Sequence, residues 1–151
     1  MTIAYFDFKH ALEQHKRVLE ISGGLHGYKD VSQLKSVIAH IQNDSYYPSF
    51  LEKLAYLVFS VSTGHAFNDG NKRTAIALGG YFLEINELGA IVGTFIVHME
   101  YLVVWLVEKK ITRNLFERAI QSILEEGELN ESIQIELLKQ LGEYSKLNLK
   151  D

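Results

Sequence analysis

A single proline, Pro48, interrupts 151 residues in which apolar side chains recur every third or fourth place through most segments. That combination restricts the chain to helices joined by short breaks, since strands need alternation and proline ends helices. Asp7 is placed to cap a first helix reaching about Ser22, with Phe8, Ala11, Leu12, Val18, Leu19 and Ile21 on its apolar face and Gly23 and Gly24 stopping it. Residues 25–30 read as a loop, and residues 31–42 as a shorter helix with Leu34, Val37, Ile38 and Ile41 on one side. After a connection over 43–48, Ser49 and Glu52 form a capping box for a helix that Gly64 closes. This helix is apolar around most of its circumference, which predicts a central position.

A further helix is expected from about Asn71 to Asn86, where alanine and glycine signal close helix packing. Residues 87–93 read as a turn region, and residues 98–109, 114–124 and 131–141 as three more helices, with Thr112 capping the second of these and Gly127 ending it. From Gly142 the patterning is weak and predicts fraying. The expected fold class is all-α, with residues 25–30 the one place for a small hairpin. Residues 1–126 are expected to form one domain, with 127–151 as its C-terminal helical extension.

Composition narrows the function. The sequence has no cysteine, which excludes disulfides, zinc thiolate sites and cysteine nucleophiles, and fits a reducing cytoplasm. The net charge of -4 leaves no basic surplus for a nucleic-acid backbone, so no nucleic-acid partner is expected. The N-terminus MTIAYFDFKH has no signal-peptide pattern. The apolar stretch 91–107 contains His98 and Glu100 and falls short of the ~20 residues that span a bilayer, so it reads as a buried helix and no membrane association is expected.

The segment after Gly64 stands apart. Between two apolar helices it crowds His65, Asn68, Asp69, Asn71, Lys72 and Arg73 into nine residues. Gly70 lets the backbone turn tightly at the start of the next helix, where free N–H groups and the helix dipole favour an anion. Lys72 and Arg73 oppose that dipole, and a bound phosphate removes the conflict. Asp69 is an oxygen ligand of the kind magnesium takes when it bridges to phosphates. Histidine is the side chain whose ordinary pKa lies nearest neutrality, so His65 is the candidate proton acceptor. Phe67 pins the loop to the core. Singly, each has an ordinary reading: Asn-Asp-Gly as a turn, the Lys-Arg pair as solvated charge, the histidine as a hydrogen-bonded structural residue. Together they describe transfer of a phosphorus-containing group from a nucleotide to a hydroxyl.

The run HAFNDGNKRTA, His65 to Ala75, resembles the signature His-x-Phe-x-Asp-Gly/Ala-Asn-x-Arg of the Fic/Doc (Fido) proteins. GLHGYKDVSQLKSVI before it, YLVFSVSTG leading into it and YFLEIN after it are similar to the death-on-curing (Doc) branch, and the resemblance covers roughly residues 5 to 125. It implies an all-α bundle around a motif-bearing helical hairpin, with a flap within residues 25–46 that docks a segment of the target protein. By the same resemblance, His65 is the base that deprotonates the target hydroxyl, Phe67 the core anchor and Asp69 the ligand of Mg2+. Asn68, Gly70, Asn71, Lys72 and Arg73 form the nucleotide- and phosphate-binding set for ATP.

The AMP-transferring Fic pattern has proline at Ala66, glycine at Lys72 and a second arginine at Ile76. A lysine crowds the inner-phosphate pocket, and the missing arginine removes a clamp on the outer phosphate. Both departures resemble Doc, whose members reverse the nucleotide and transfer its terminal phosphate to a threonine of elongation factor Tu. Gly70 departs the other way, since Doc-like motifs commonly carry alanine there. The leading expectation is therefore a Doc-like toxin kinase, paired with an antitoxin protein. An AMP transferase and a non-catalytic protein-binding module of the same fold are the alternatives. Ser122, Glu126 and Gly127 match a short inhibitory pattern of some Fic proteins, but the arginine that such a glutamate pairs with is Ile76 here, so self-inhibition is not expected. The remaining histidines show no metal-ligand spacing, and Trp105 is expected in the core.

Overall fold

The Asp7 carboxylate accepts from the His10 amide at 2.9 Å and starts α1 (Phe8–Ser22). In the computed structural model, which describes residues 2–148, there follow α2 (Val31–His40), α3 (Phe50–Thr63), α4 (Asn71–Ile85), α5 (Val92–Val107), α6 (Arg113–Glu126) and α7 (Glu131–Asn148), with a 3-10 turn, Gly89–Ile91, leading into α5. The caps at Asp7, at Ser49 with Glu52, which close a reciprocal capping box on α3, and at Thr112, which starts α6, are those the sequence predicts; the structure adds Asp30, which caps α2.

α3 is the central helix, packed on α2, α4, α5 and α6, with Leu54, Leu57, Val58 and Val61 fully buried. α3 and α4 form a hairpin that shares the core with α5. A Cβ at Gly79 would come within 2.9 Å of both Phe95 and Val58, so the small residue of α4 is what lets three helices meet. Two buried polar side chains staple irregular chain to this frame. Asn86 pairs with both backbone groups of Ala4 (2.8 and 3.0 Å) and with Phe82 O, which lays Phe6 against Phe82. Lys53 donates to Ile41 O and to Asp44, both at 2.7 Å, and so fixes the turn after α2. Burial pushes its pKa down, but the Asp44 carboxylate and the Tyr5 hydroxyl outweigh that and hold it above the ordinary lysine value.

Four expectations change. Helix α5 starts at Val92, six residues before His98, because Phe95 and Met99 extend its buried stripe backwards through a segment of poor helix formers. Only one face of α5 is buried, and Val97 and Tyr101 on the other are exposed. By length and composition alone Gly89–Val107 would suffice to cross a membrane; here it packs on α3, α4 and α6. α7 runs to Asn148 instead of ending at Leu141, passing through Gly142 without a break. The predicted fraying from Gly142 is therefore not seen over 142–148, and 149–151 lie outside the described residues. Finally, residues 25–30 form no hairpin. Among the described residues their only β-pairing is one antiparallel bridge between Tyr28 and Phe67, so this segment pairs with the motif loop and not with itself.

Candidate active site

The loop between α3 and α4 is built from the inside outward. Ala66 and Phe67 are fully buried and seat it on the core. His65, beside them, takes a left-handed backbone (φ 52°) and is exposed. Gly70 also turns left-handed (φ 79°) and serves as N-cap of α4 without any side-chain cap. The first intrahelical bond runs from Thr74 N to Gly70 O, so the amides of Asn71, Lys72 and Arg73 are the unpaired donors of the first turn.

Asn71 is turned inward. Its side chain accepts from Phe67 N at 3.1 Å and donates to Phe67 O at 3.0 Å, closing the loop on itself. Asn68 faces the second wall of the site, residues 23–30. Its amide donates to Gly27 O (3.0 Å) and its side chain to His26 O (3.2 Å). Lys29 N and Asp30 N both donate to Ala66 O, and Arg73 Nη1 to Gly23 O at 3.0 Å. Asp69 completes this seam. Its Oδ2 accepts from Leu25 N (3.1 Å) and its Oδ1 from Gly70 N (2.8 Å). Those two amides, followed by the Arg73 guanidinium 3.8 Å away, hold the carboxyl below the ordinary aspartate value. A Cβ at Gly24, where φ is 128°, would fall 2.7 Å from Asp69 Oδ2, so only glycine lets the second wall approach this closely.

A cavity of about 380 Å3 lies over His65, Asp69, Gly70, Lys72 and Arg73, closed on one side by Ser62 and Val107. Lys72 is exposed, and no ion pair or side-chain hydrogen bond engages it among the described residues. Ile76 is half-buried against the core, so no second cation stands one turn further along α4. A cavity of similar size, about 330 Å3, lies between α3 and α6, but its Arg113 already stacks on Phe59 at 3.9 Å and the α6 start that borders it is capped by the Thr112 side chain.

A family model described as Fic/DOC family matches residues 5–83, which includes both walls of this site. The chain belongs to the Fic/DOC family. It is also 40% identical over 68 residues to Toxin Doc of Mycolicibacterium smegmatis, covering 42% of this chain and 52% of that relative, so the match spans about half of the relative's length.

Within this Fic/DOC chain the structure brings His65, Asn68, Asp69, Gly70, Asn71, Lys72 and Arg73 around one cavity, while Phe67 lies beneath it. Of the stretch 25–46 expected to form the flap, residues 25–30 hydrogen-bond with the motif loop, and Gln33 packs against Gly64 at its start. Tyr46 and Tyr47 line the other cavity, beside Arg113. Ser122 and Glu126 are occupied elsewhere. Ser122 Oγ bonds Glu128 O and Asn130 N, and Glu126 accepts from Asn130 Nδ2, which shapes the turn into α7. The residue that sequence reasoning passed over is His15. It is 3% exposed, lies parallel to Phe67 with ring centroids 3.7 Å apart, and its Nε2 is 3.0 Å from Asp69 O. Burial holds its pKa below the ordinary histidine value. The signal was available: His15 stands on the buried stripe of α1 between Ala11 and Leu19, where a polar residue needs a partner.

Proposed function

We propose that this protein is a Doc-like toxin that transfers the terminal phosphate of ATP to a hydroxyl of a target protein. The observation that carries this reading is the uncapped start of α4, with three unpaired amides, opening on the same cavity as exposed His65 and the Asp69 carboxylate. Free N–H groups at a helix start bind phosphate oxygens, and Lys72 and Arg73 add cationic charge there. Asn71 contributes its backbone amide, since its side chain holds the loop. Asn68 ties the loop to the second wall. His65 accepts the proton of the attacking hydroxyl.

A magnesium ion fits Asp69. Each carboxylate oxygen accepts a single amide bond and so keeps coordination capacity, and the side chain is 43% exposed to the cavity. Magnesium commonly takes one or two protein carboxylates and completes its shell with phosphates and water. When bound, magnesium neutralises charge on the phosphates.

Lys72 in place of glycine and Ile76 in place of a second arginine favour terminal-phosphate transfer over AMP transfer. The similarity to Toxin Doc supports the same choice. The target is a translation factor such as elongation factor Tu, docked against residues 25–30, in the cytoplasm and under control of an antitoxin protein. One observation favours AMP transfer instead: Gly70, as in the AMP-transferring pattern, in a left-handed conformation that suits glycine. Incubation of the protein with lysate and ATP labelled at either the γ- or the α-phosphate separates the two. Label from the γ position alone is expected, and label from the α position alone would sink the kinase reading. His65→Ala should lower the transfer rate by roughly 10²–10⁴ without lowering thermal stability; an unchanged cellular effect of this variant would support a binding module.

A further inference from the structure

We propose that His15 is a positioning residue of the reaction, which locks the Asp69–Gly70 peptide from the reverse side of the motif loop. The inference rests on the reading of Asp69 and the α4 amides as the magnesium and phosphate site. Its geometric basis is independent of that reading.

The peptide between Asp69 and Gly70 is held at both ends. Its carbonyl oxygen is 3.0 Å from His15 Nε2, and its N–H donates to the Asp69 carboxylate at 2.8 Å. A backbone carbonyl only accepts, so Nε2 carries the proton and the tautomer is defined. The next residue, Gly70, has a left-handed φ of 79°, and glycine crosses between conformations more easily than any other residue. Without the His15 bond, this peptide is free to rotate about its flanking dihedrals. Rotation would carry the Gly70 N–H away from the carboxylate, release Asp69 Oδ1 and re-aim the first amides of α4.

The ring itself is fixed. His15 lies flat on Phe67, with an interplanar angle of 5°, and Phe67 is fully buried. Helix α1 therefore delivers a rigid donor to a loop 54 residues away. A side chain needed only to fill this space would be apolar, since an imidazole is costly to bury unless it is hydrogen-bonded. The motif itself carries the reacting groups, but it has no donor of its own for the Asp69 carbonyl.

Two variants separate the ring from the donor. His15→Phe keeps the stack and removes the donor; His15→Gln returns a donor near the position of Nε2 and removes the ring. The readouts are 15N relaxation dispersion at the Gly70 and Asn71 amides of the full chain, thermal midpoint, and kcat and KM for magnesium-ATP. In His15→Phe, millisecond exchange absent from the wild type should appear at Gly70, and KM should rise about tenfold, the equivalent of one hydrogen bond. His15→Gln should abolish the exchange and bring KM back toward the wild-type value. Wild-type dispersion and KM in a folded His15→Phe would overturn the proposal and leave His15 a packing residue. Should His15→Phe not fold, His15→Gln decides alone: a quiet Gly70 amide supports the donor, and an exchanging one refutes it. If the wild type transfers neither phosphate nor AMP, the functional reading fails, while the relaxation measurement still decides the role of His15.

Discussion

Asn71→Ala distinguishes a side chain that binds nucleotide from one that builds the loop. In the structure the Asn71 side chain makes two hydrogen bonds, both to the backbone of buried Phe67, at 3.1 and 3.0 Å. Each neutral bond contributes about 0.5–1.5 kcal/mol net, and leaving the Phe67 groups unpaired in a dry site adds part of a desolvation cost of about 1–3 kcal/mol, so the variant should lose roughly 2–4 kcal/mol. In a chain of this length, each kcal/mol lowers the thermal midpoint by about 2–4 °C, so a fall of roughly 5–15 °C is expected. Total stability of a typical domain is about 5–15 kcal/mol, so the protein should remain folded at room temperature. Calorimetry without ligand, paired with titration of magnesium-ATP, reads both quantities. A midpoint within about 1 °C of the wild type together with lost ATP affinity would refute the structural reasoning and return Asn71 to the role of a direct phosphate ligand.

Asp69→Asn keeps an acceptor for the Gly70 amide but loses the charge and the acceptor for the Leu25 amide, so the magnesium concentration for half-maximal transfer should rise by at least about tenfold, with a lowered thermal midpoint. Lys53→Met leaves the Ile41 carbonyl unpaired and should cost about 1–3 kcal/mol in chemical denaturation, with the transfer rate of the folded protein unchanged. The Ser32 hydroxyl and then the Gln33 amide hold Asp30 below the ordinary aspartate value, so its cap contributes in full above that value and is lost as pH falls through the lower folded-state one. The first turn of α2 should therefore fray below about pH 4, visible as loss of amide protection over residues 31–34. Glu126→Ala should loosen the α6–α7 turn and leave transfer unchanged; restored or raised activity would mean that the inhibitory pattern is real.

The local grammar of the chain was legible wherever a side chain acts on its own neighbours. Asp7, Ser49 with Glu52, and Thr112 cap the helices their spacing announces. The start of α5 was not legible, because Val92, Gly93 and Thr94 disfavour a helix that burial of Phe95 and Met99 imposes. The membership of the motif could be read from its order, but the direction of its side chains could not. Asn71 at the first position of a helix looks the same whether it turns outward to a phosphate or inward to Phe67. His15 and Gly24 act on Asp69 across 54 and 45 residues of chain, and no local pattern records such a distance. The pairing of residues 25–30 with the motif loop is hidden for the same reason, since a hairpin would have been a local choice and this bridge is not.

Residues 23–30 and 66–73 hold each other through the six hydrogen bonds from Lys29, Asp30, Asn68 (two), Leu25 and Arg73. The second segment is also seated in the core by Ala66 and Phe67 and continues into α4, so these bonds order residues 23–30 upon it and couple the two. A polypeptide bound along the first segment and a nucleotide bound at the second would thus draw on the same ordering free energy. Whichever arrives first lowers the entropy the other must surrender, and by linkage each strengthens the other by an equal factor. An inhibitor that merely unpins residues 23–30 would then act as a competitor of ATP without touching a phosphate subsite.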